Sequence, residues 1–284
     1  MARIALIAAA LTLLIYWGGA EAQPAVPQRP AKPQRIVSMN QCTDLFVLML
    51  AEPERIASVS FVSKQKQWTP PEYAAELAGI PSNHALAEEV LPARPDLVVT
   101  TPWTGAAAVR LLRKLGYQVE TFEPEVTLDD IRKNIVRMGD LLSEPERAQQ
   151  AVAAFDQRLA AIKSEVGALD QVIANFGVNG YTAGADTLTA AAAAAAGFQT
   201  LGEKMGFSGF RFISLEQVLA EAPDVLAPSN AWTEPPSMAT DAMNHPAMRK
   251  ISRTSPVVNV PERLLVCGSP AALDAAELMA RSRK

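Results

Sequence analysis

The chain has 284 residues, with 26 Lys and Arg against 30 Asp and Glu for a formal net charge of −4, and a sequence pI near 5.4. Mild acidity without a basic block argues against a nucleic-acid partner. Beyond the first residues no apolar stretch reaches the roughly 20 residues that a membrane span needs, and the length suits two modest cores or one large one.

Arg3, an apolar run over residues 4–17 and Ala20-Glu21-Ala22 form a targeting pattern: a positive start, a short hydrophobic stretch and a small-x-small cleavage site. Residues 1–22 are therefore expected to be a signal peptide cleaved near Ala22, placing the protein in the periplasm. A retained anchor helix is the alternative. Pro24, Pro27, Pro30 and Pro33 make residues 23–34 an extended linker.

Residues 35–39 read as a first strand, Asn40-Gln41-Cys42-Thr43-Asp44 as a loop and helix start, and residues 45–50 as the apolar helix that follows. Further strands are expected at 56–61, 97–100 and 117–122, with a helix over 106–115 closed by Gly116. Strands alternating with helices imply a mostly parallel sheet with covered faces. From Thr127 to Val166 the pattern becomes helical, with Leu128, Ile131, Ile135, Met138 and Leu142 at helix spacing. One helix, or two with a kink at Ser143-Glu144-Pro145, would run about 40 residues, or roughly 60 Å. Alternation then resumes, with strands at 171–176, 225–227, 257–260 and 264–266 and helices at 187–196 and 270–281.

One segment occurs twice. Glu88-Glu89-Val90-Leu91-Pro92-Ala93-Arg94-Pro95-Asp96-Leu97 is matched by Glu216-Gln217-Val218-Leu219-Ala220-Glu221-Ala222-Pro223-Asp224-Val225. Each copy reads as a short helix stopped by proline, then a strand. Two similarly built lobes follow, unless the junction recurs by chance. The organisation expected is an N-terminal lobe over 35–126, a connecting helix over 127–166 and a C-terminal lobe over 167–284. The fold class is α/β: two Rossmann-like lobes with mostly parallel sheets, joined by a helical spine.

Ligands of parallel α/β lobes meet the loops at the carboxyl ends of strands. That rule nominates Asn40, Gln41, Cys42 and Thr43, then Trp103, and in the second lobe Tyr181, Trp232 and Cys267. Arg211 is a candidate for bidentate pairing with an anionic ligand, or for a structural ion pair. Cys42 and Cys267 permit one disulfide, a soft-metal site or two unrelated buried thiols. With only two histidines, His84 and His245, a cage for a bare zinc or manganese ion is not in view. His84 is a candidate axial ligand to haem iron or cobalt, against a plain loop histidine. The chain lacks G-x-S-x-G, a P-loop and G-x-G-x-x-G, and no nucleophile–base pair is evident, so it is not expected to be an enzyme.

Arg35-Ile36-Val37-Ser38, the two Glu-containing repeats, Tyr181-Thr182-Ala183-Gly184 and Cys267-Gly268-Ser269-Pro270 together resemble the substrate-binding proteins of ATP-driven importers for iron complexes and cobalamin. The resemblance runs from Arg35 to the end of the chain. It implies a monomer that captures a metal chelate between its lobes and docks on the transmembrane permease of an ABC importer. A ferric siderophore is the first choice, with cobalamin or haem as the alternative. The chelate is cargo, and no covalently bound cofactor is expected. The resemblance also places one docking glutamate per lobe at Glu88 and Glu216, to pair with permease arginines. A secreted two-lobed enzyme and a non-transport sensor module are the competing readings.

Overall fold

A computed structural model describes residues 32–167, 170–228, 245–253 and 255–283. The expected signal peptide, most of the linker and Trp232 lie outside the described residues.

In the first half, β1 (Ile36–Ser38), β2 (Ile56–Ser60), β3 (Ser82–Asn83), β4 (Leu97–Thr100) and β5 (Val119–Thr121) form one parallel sheet in the order β3-β2-β1-β4-β5. Every residue of β1 and β4 is buried, as expected of strands covered on both faces. The covering helices are α1 (Gln41–Leu50), α2 (Ala74–Gly79), α3 (Ala87–Val90) and α4 (Ala106–Lys114). The chain steps outward from β1 on one side, then crosses back to β4 on the other. That reversal opens a crevice beyond the carboxyl ends of β1 and β4.

The helical stretch is two helices, α5 (Leu128–Leu142) and α6 (Pro145–Glu165). Thr127 and Asp130 form a reciprocal capping box at the start of α5. Ser143 ends it in the left-handed conformation (φ 57°), and the Glu144 N–H turns back to the Gly139 carbonyl at 2.7 Å. Pro145 has no N–H and is tolerated only in the first turn of the new helix. The chain reverses rather than kinks: Gly139 lies against Ala148, and Arg132 pairs with Asp156 while its guanidinium sits 5.3 Å from the Phe155 ring centre. The expected run of roughly 60 Å is therefore a helical hairpin, and α6 alone is about 30 Å long.

The second half contains β6 (Gln171–Phe176), β7 (Tyr181–Ala183), α7 (Leu188–Ala195), β8 (Phe198–Thr200), α8 (Leu201–Lys204), β9 (Phe210–Phe212), α9 (Leu215–Glu221), β10 (Val225–Pro228), α10 (Pro246–Ile251) and α11 (Ala272–Ala280). A parallel sheet runs β10-β6-β8, and β7 and β9 form a separate antiparallel ribbon. Two expected strands are corrected here. Residues 257–260 contribute only a single bridge, Val257 to Leu226, and Glu262–Leu264 is a 3₁₀ turn rather than part of a strand over 264–266. Pro256 and Pro261 flank these residues, and proline supplies no ladder donor.

The sequence repeat is also a structural repeat. Arg94 and Ala222 both take the left-handed conformation, at φ 44° and 45°, just before Pro95 and Pro223. Asp96 accepts the N–H groups of Gln34 and Arg35 at 2.7 and 2.9 Å, and Asp224 accepts that of Val172 at 2.8 Å. Leu97 pairs with Ile36 and Val225 with Ile173, so each copy docks its strand beside the first strand of its own sheet. One continuous core links the halves, from Phe46 and Phe122 through Ile131, Phe155 and Leu159 to Phe198 and Leu273.

Gly139→Val should force a side chain into Ala148 across the hairpin. The free energy of unfolding measured in urea is expected to fall by about 1–3 kcal/mol. Adding Ala148→Gly should recover part of the loss.

Candidate functional site

The crevice of the first lobe begins at Asn40. Its Oδ1 accepts the Cys42 N–H at 2.8 Å to cap α1, and its Nδ2 donates to Thr104 Oγ1 at 2.9 Å. Thr43 is buried, and its hydroxyl donates to the Asn40 carbonyl at 2.9 Å. These groups shape the crevice while bonded to one another. Asn40, Cys42, Thr43 and Trp103 line a cavity of about 180 Å³. Trp103 is 73% exposed there, the most open large apolar side chain described.

A larger cavity, about 740 Å³, adjoins it across the shared wall of Pro124, Glu125, Leu188, Leu265 and Val266. Trp68 and residues 124–126 bound it from the first lobe. The carboxyl ends of β6 and β10 and the β7–β9 ribbon bound it from the second. On the ribbon Tyr181 stacks on Phe210 with ring centres 4.9 Å apart and planes 5° from parallel, and Phe212 tilts against Tyr181 at 5.5 Å. All three rings are open, Phe212 at 69%. Desolvation raises the Tyr181 pKa, so its hydroxyl stays protonated at neutral pH. Strand alternation turns Arg211 away from these rings, and its guanidinium lies 5.0 Å from the Phe207 ring centre. Arg211 is exposed and is not among the residues that line either cavity.

Cys42 and Cys267 form a disulfide with Cα atoms 5.0 Å apart. Their sulfurs are bonded to each other, so the soft-metal alternative is corrected and Cys267 is a buried structural residue. Beside the bridge, Glu125 accepts the Gly268 N–H at 3.1 Å and the Asn134 side-chain amide at 2.6 Å. Burial raises the Glu125 pKa. A side chain at Gly268 would collide with Glu125, so glycine is required for this approach.

Gln41 is buried and donates to the Trp68 carbonyl, so it holds the cavity wall instead of facing the cavity. Asp44, one turn on, anchors the same loop: its Oδ2 accepts the Ser60 N–H at 2.9 Å and the Ser63 hydroxyl at 2.6 Å. Its Oδ1 has no hydrogen-bond partner, and burial pushes the carboxyl pKa up to about 7 against those donors. His84 lies outside both cavities, stacked on Phe61 at 4.5 Å with Nδ1 3.0 Å from Glu89. Glu88 and Glu216 are exposed in the first turns of α3 and α9. Trp232 lies outside the described residues. Among the described residues, no group of three or more His, Cys, Asp or Glu is placed to hold a bare metal ion. The sequence reading missed Trp68 and Glu125. An unpaired tryptophan in a loop and a lone glutamate after a strand carry no distinguishing pattern.

A family model described as "Periplasmic binding protein" matches residues 36–252. A cobalamin-binding protein of Halobacterium salinarum is 26% identical over 201 residues, covering 69% of this chain and 54% of that protein. The chain thus spans about half the length of the curated relatives it matches. A periplasmic heme binding protein of Pseudomonas aeruginosa is similar at 26% identity and a TM-score of 0.63, over 88% of this chain and 92% of that one. The periplasmic heme binding protein HutB of Vibrio cholerae shares the fold at a TM-score of 0.72, with 18% identity over 87% and 98% of the two chains.

Two outcomes are expected. Replacing both cysteines, Cys42→Ser with Cys267→Ser, should lower unfolding stability by about 2–4 kcal/mol in denaturant titrations run without reductant. Native Asp44 keeps its proton up to about pH 7, whereas the unfolded carboxyl releases it near 3.8. The native state therefore binds more protons across that window, and stability falls as pH rises through it, then levels off. Urea midpoints measured between about pH 5 and about pH 8 should drop less in Asp44→Asn than in the parent chain.

Proposed function

The chain belongs to the periplasmic binding protein family, and from that premise we propose that it is the extracytoplasmic ligand-binding component of an ABC importer. It captures a metal chelate in the cleft and delivers it to the membrane permease. The observation that carries this reading is the cleft itself. It is roomy, bounded by both lobes, and walled by open aromatic rings that a soluble protein otherwise buries. Ferric siderophores, cobalamin and haem all present the large, partly apolar surface such walls fit. The names of the relatives include cobalamin, haem and Fe3+-hydroxamate, and do not choose among them. A single disulfide suits an oxidising compartment, which supports a periplasmic location after cleavage near Ala22.

Delivery is assigned to Glu88 and Glu216. They occupy matching positions of the repeated helix–strand unit, one per lobe, and both are exposed. A carboxylate at a helix start is favoured by the helix dipole alone, and the same exposure leaves it open to a permease arginine. At a transient docking rim such charges give orientation and association rate. The protein acts as a monomer, with no nucleic-acid partner and no turnover of its ligand.

The test separates capture from delivery. Glu88→Arg with Glu216→Arg should leave chelate binding by the purified protein unchanged, measured by tryptophan quenching. Chelate uptake by cells that depend on this protein should drop to background. Uptake that survives the double reversal would overturn the docking assignment, and chemical conversion of the bound chelate would favour an enzyme.

A further inference from the structure

We propose that the cleft selects by charge, accepting neutral or cationic chelates and rejecting anionic ones. This rests on the capture reading above and narrows its ligand class. Among the described residues, no Lys, Arg or His lines either cavity. The Asp, Glu, Lys, Arg and His side chains that line them are all acidic, Glu123, Glu125, Asp186 and Glu262, with Glu125 held by Asn134 and Gly268 and its pKa raised by burial. The two arginines adjacent in sequence to the walls, Arg211 and Arg263, line neither cavity. Residues 229–244, outside the described set, contain Glu234 and Asp241 and no Lys, Arg or His, so they have no cationic side chain to supply.

A bound anion in a partly dry cleft needs a partner of opposite charge. Carboxylate and catecholate oxygens are best held by the guanidinium fork of arginine. Without one, an anionic chelate gives up hydration and gains no pairing. It also meets like charge at a dielectric well below that of water. The aromatic walls act in the same direction. The faces of Tyr181, Phe210 and Phe212 carry negative quadrupole density, which attracts cations and is indifferent to neutral apolar surface. Asn175 and Asn179 line the same cavity and offer amide groups suited to neutral polar substituents. A ferric tris-hydroxamate is neutral, or cationic when its backbone carries an amine. Cyanocobalamin is neutral and bears amide side chains. A ferric tris-catecholate carries three negative charges, and haem carries two propionates. The cleft chemistry fits the first two and opposes the last two.

Selection is tested by titrating the signal-cleaved protein with four probes: a linear amine-bearing ferric trihydroxamate, cyanocobalamin, a ferric tris-catecholate and haemin. Tryptophan quenching reads binding at low and high salt. At least one of the first two should bind at least about tenfold more tightly than either anion, with the gap narrowing as salt screens the carboxylates. Glu123→Gln with Asp186→Asn should narrow it further. Asparagine tolerates the left-handed backbone at position 186 (φ 56°), and the thermal midpoint checks that the variant folds. Tighter binding of an anionic probe, or a preference unmoved by both salt and the variant, overturns charge selection and leaves the capture reading standing. No binding of any probe by folded protein overturns the capture reading, and charge selection with it.

Discussion

The bridge between Cys42 and Cys267 sets the geometry on which the cleft depends. One sulfur sits in the first turn of α1, beyond the carboxyl end of β1, and the other shortly before α11. The floors of the two lobes therefore cannot part without breaking a covalent bond. Glu125 repeats the constraint beside it by accepting the Gly268 N–H across the same boundary. The apolar core continues through α5, α6 and α7, so the lobes are not two separate globules on a flexible strap. Arg158 of α6 pairs with Asp274 and Glu277 of α11, which ties the spine to the second lobe.

A pinned floor limits what closure can contribute. Affinity must then come from walls already in place, with little ordering cost on binding. The structure spends its polar groups accordingly. Asn40, Gln41, Thr43 and Asp44 follow the first strand, where a ligand-binding rule would place contacts, yet each is bonded within the scaffold. Their work is to fix α1 and the loop carrying Trp68. What faces the cavities is aliphatic and ring surface with a few amides, hydroxyls and carboxylates.

Much of the fold was legible because local rules and global topology agree. The proline-stopped repeat announced two similar units, and both copies keep the left-handed residue, the strand-capping aspartate and the register. The helical hairpin was harder. Ser143-Glu144-Pro145 reads as a kink, and the contacts of Gly139 with Ala148 and of Arg132 with Asp156 show a reversal. The site was less legible for a related reason. Position after a strand found Trp103 and Tyr181, but it cannot tell a side chain that faces the cavity from one consumed by a cap, as at Asn40. Alternation puts Arg211 on the opposite face of β9 from Phe210 and Phe212, but which face meets the cavity depends on the pairing of β9 with β7, which the sequence does not state.

Charge gives the cleft a character that no single residue announces. Lys and Arg nearly equal Asp and Glu over the whole chain, so overall composition does not foretell a cleft whose ionisable lining, among the described residues, is acidic. Three arginines brace the helices of the spine. Arg55 is buried and braces the end of α5 through the Leu142 carbonyl, Arg132 spans the hairpin and Arg158 grips α11. Each holds one helix to its surroundings. The arginines fasten the spine, while carboxylates and aromatic faces line the cavities, and Glu125 does both kinds of work by lining the cavities and holding the Gly268 N–H across the lobe boundary.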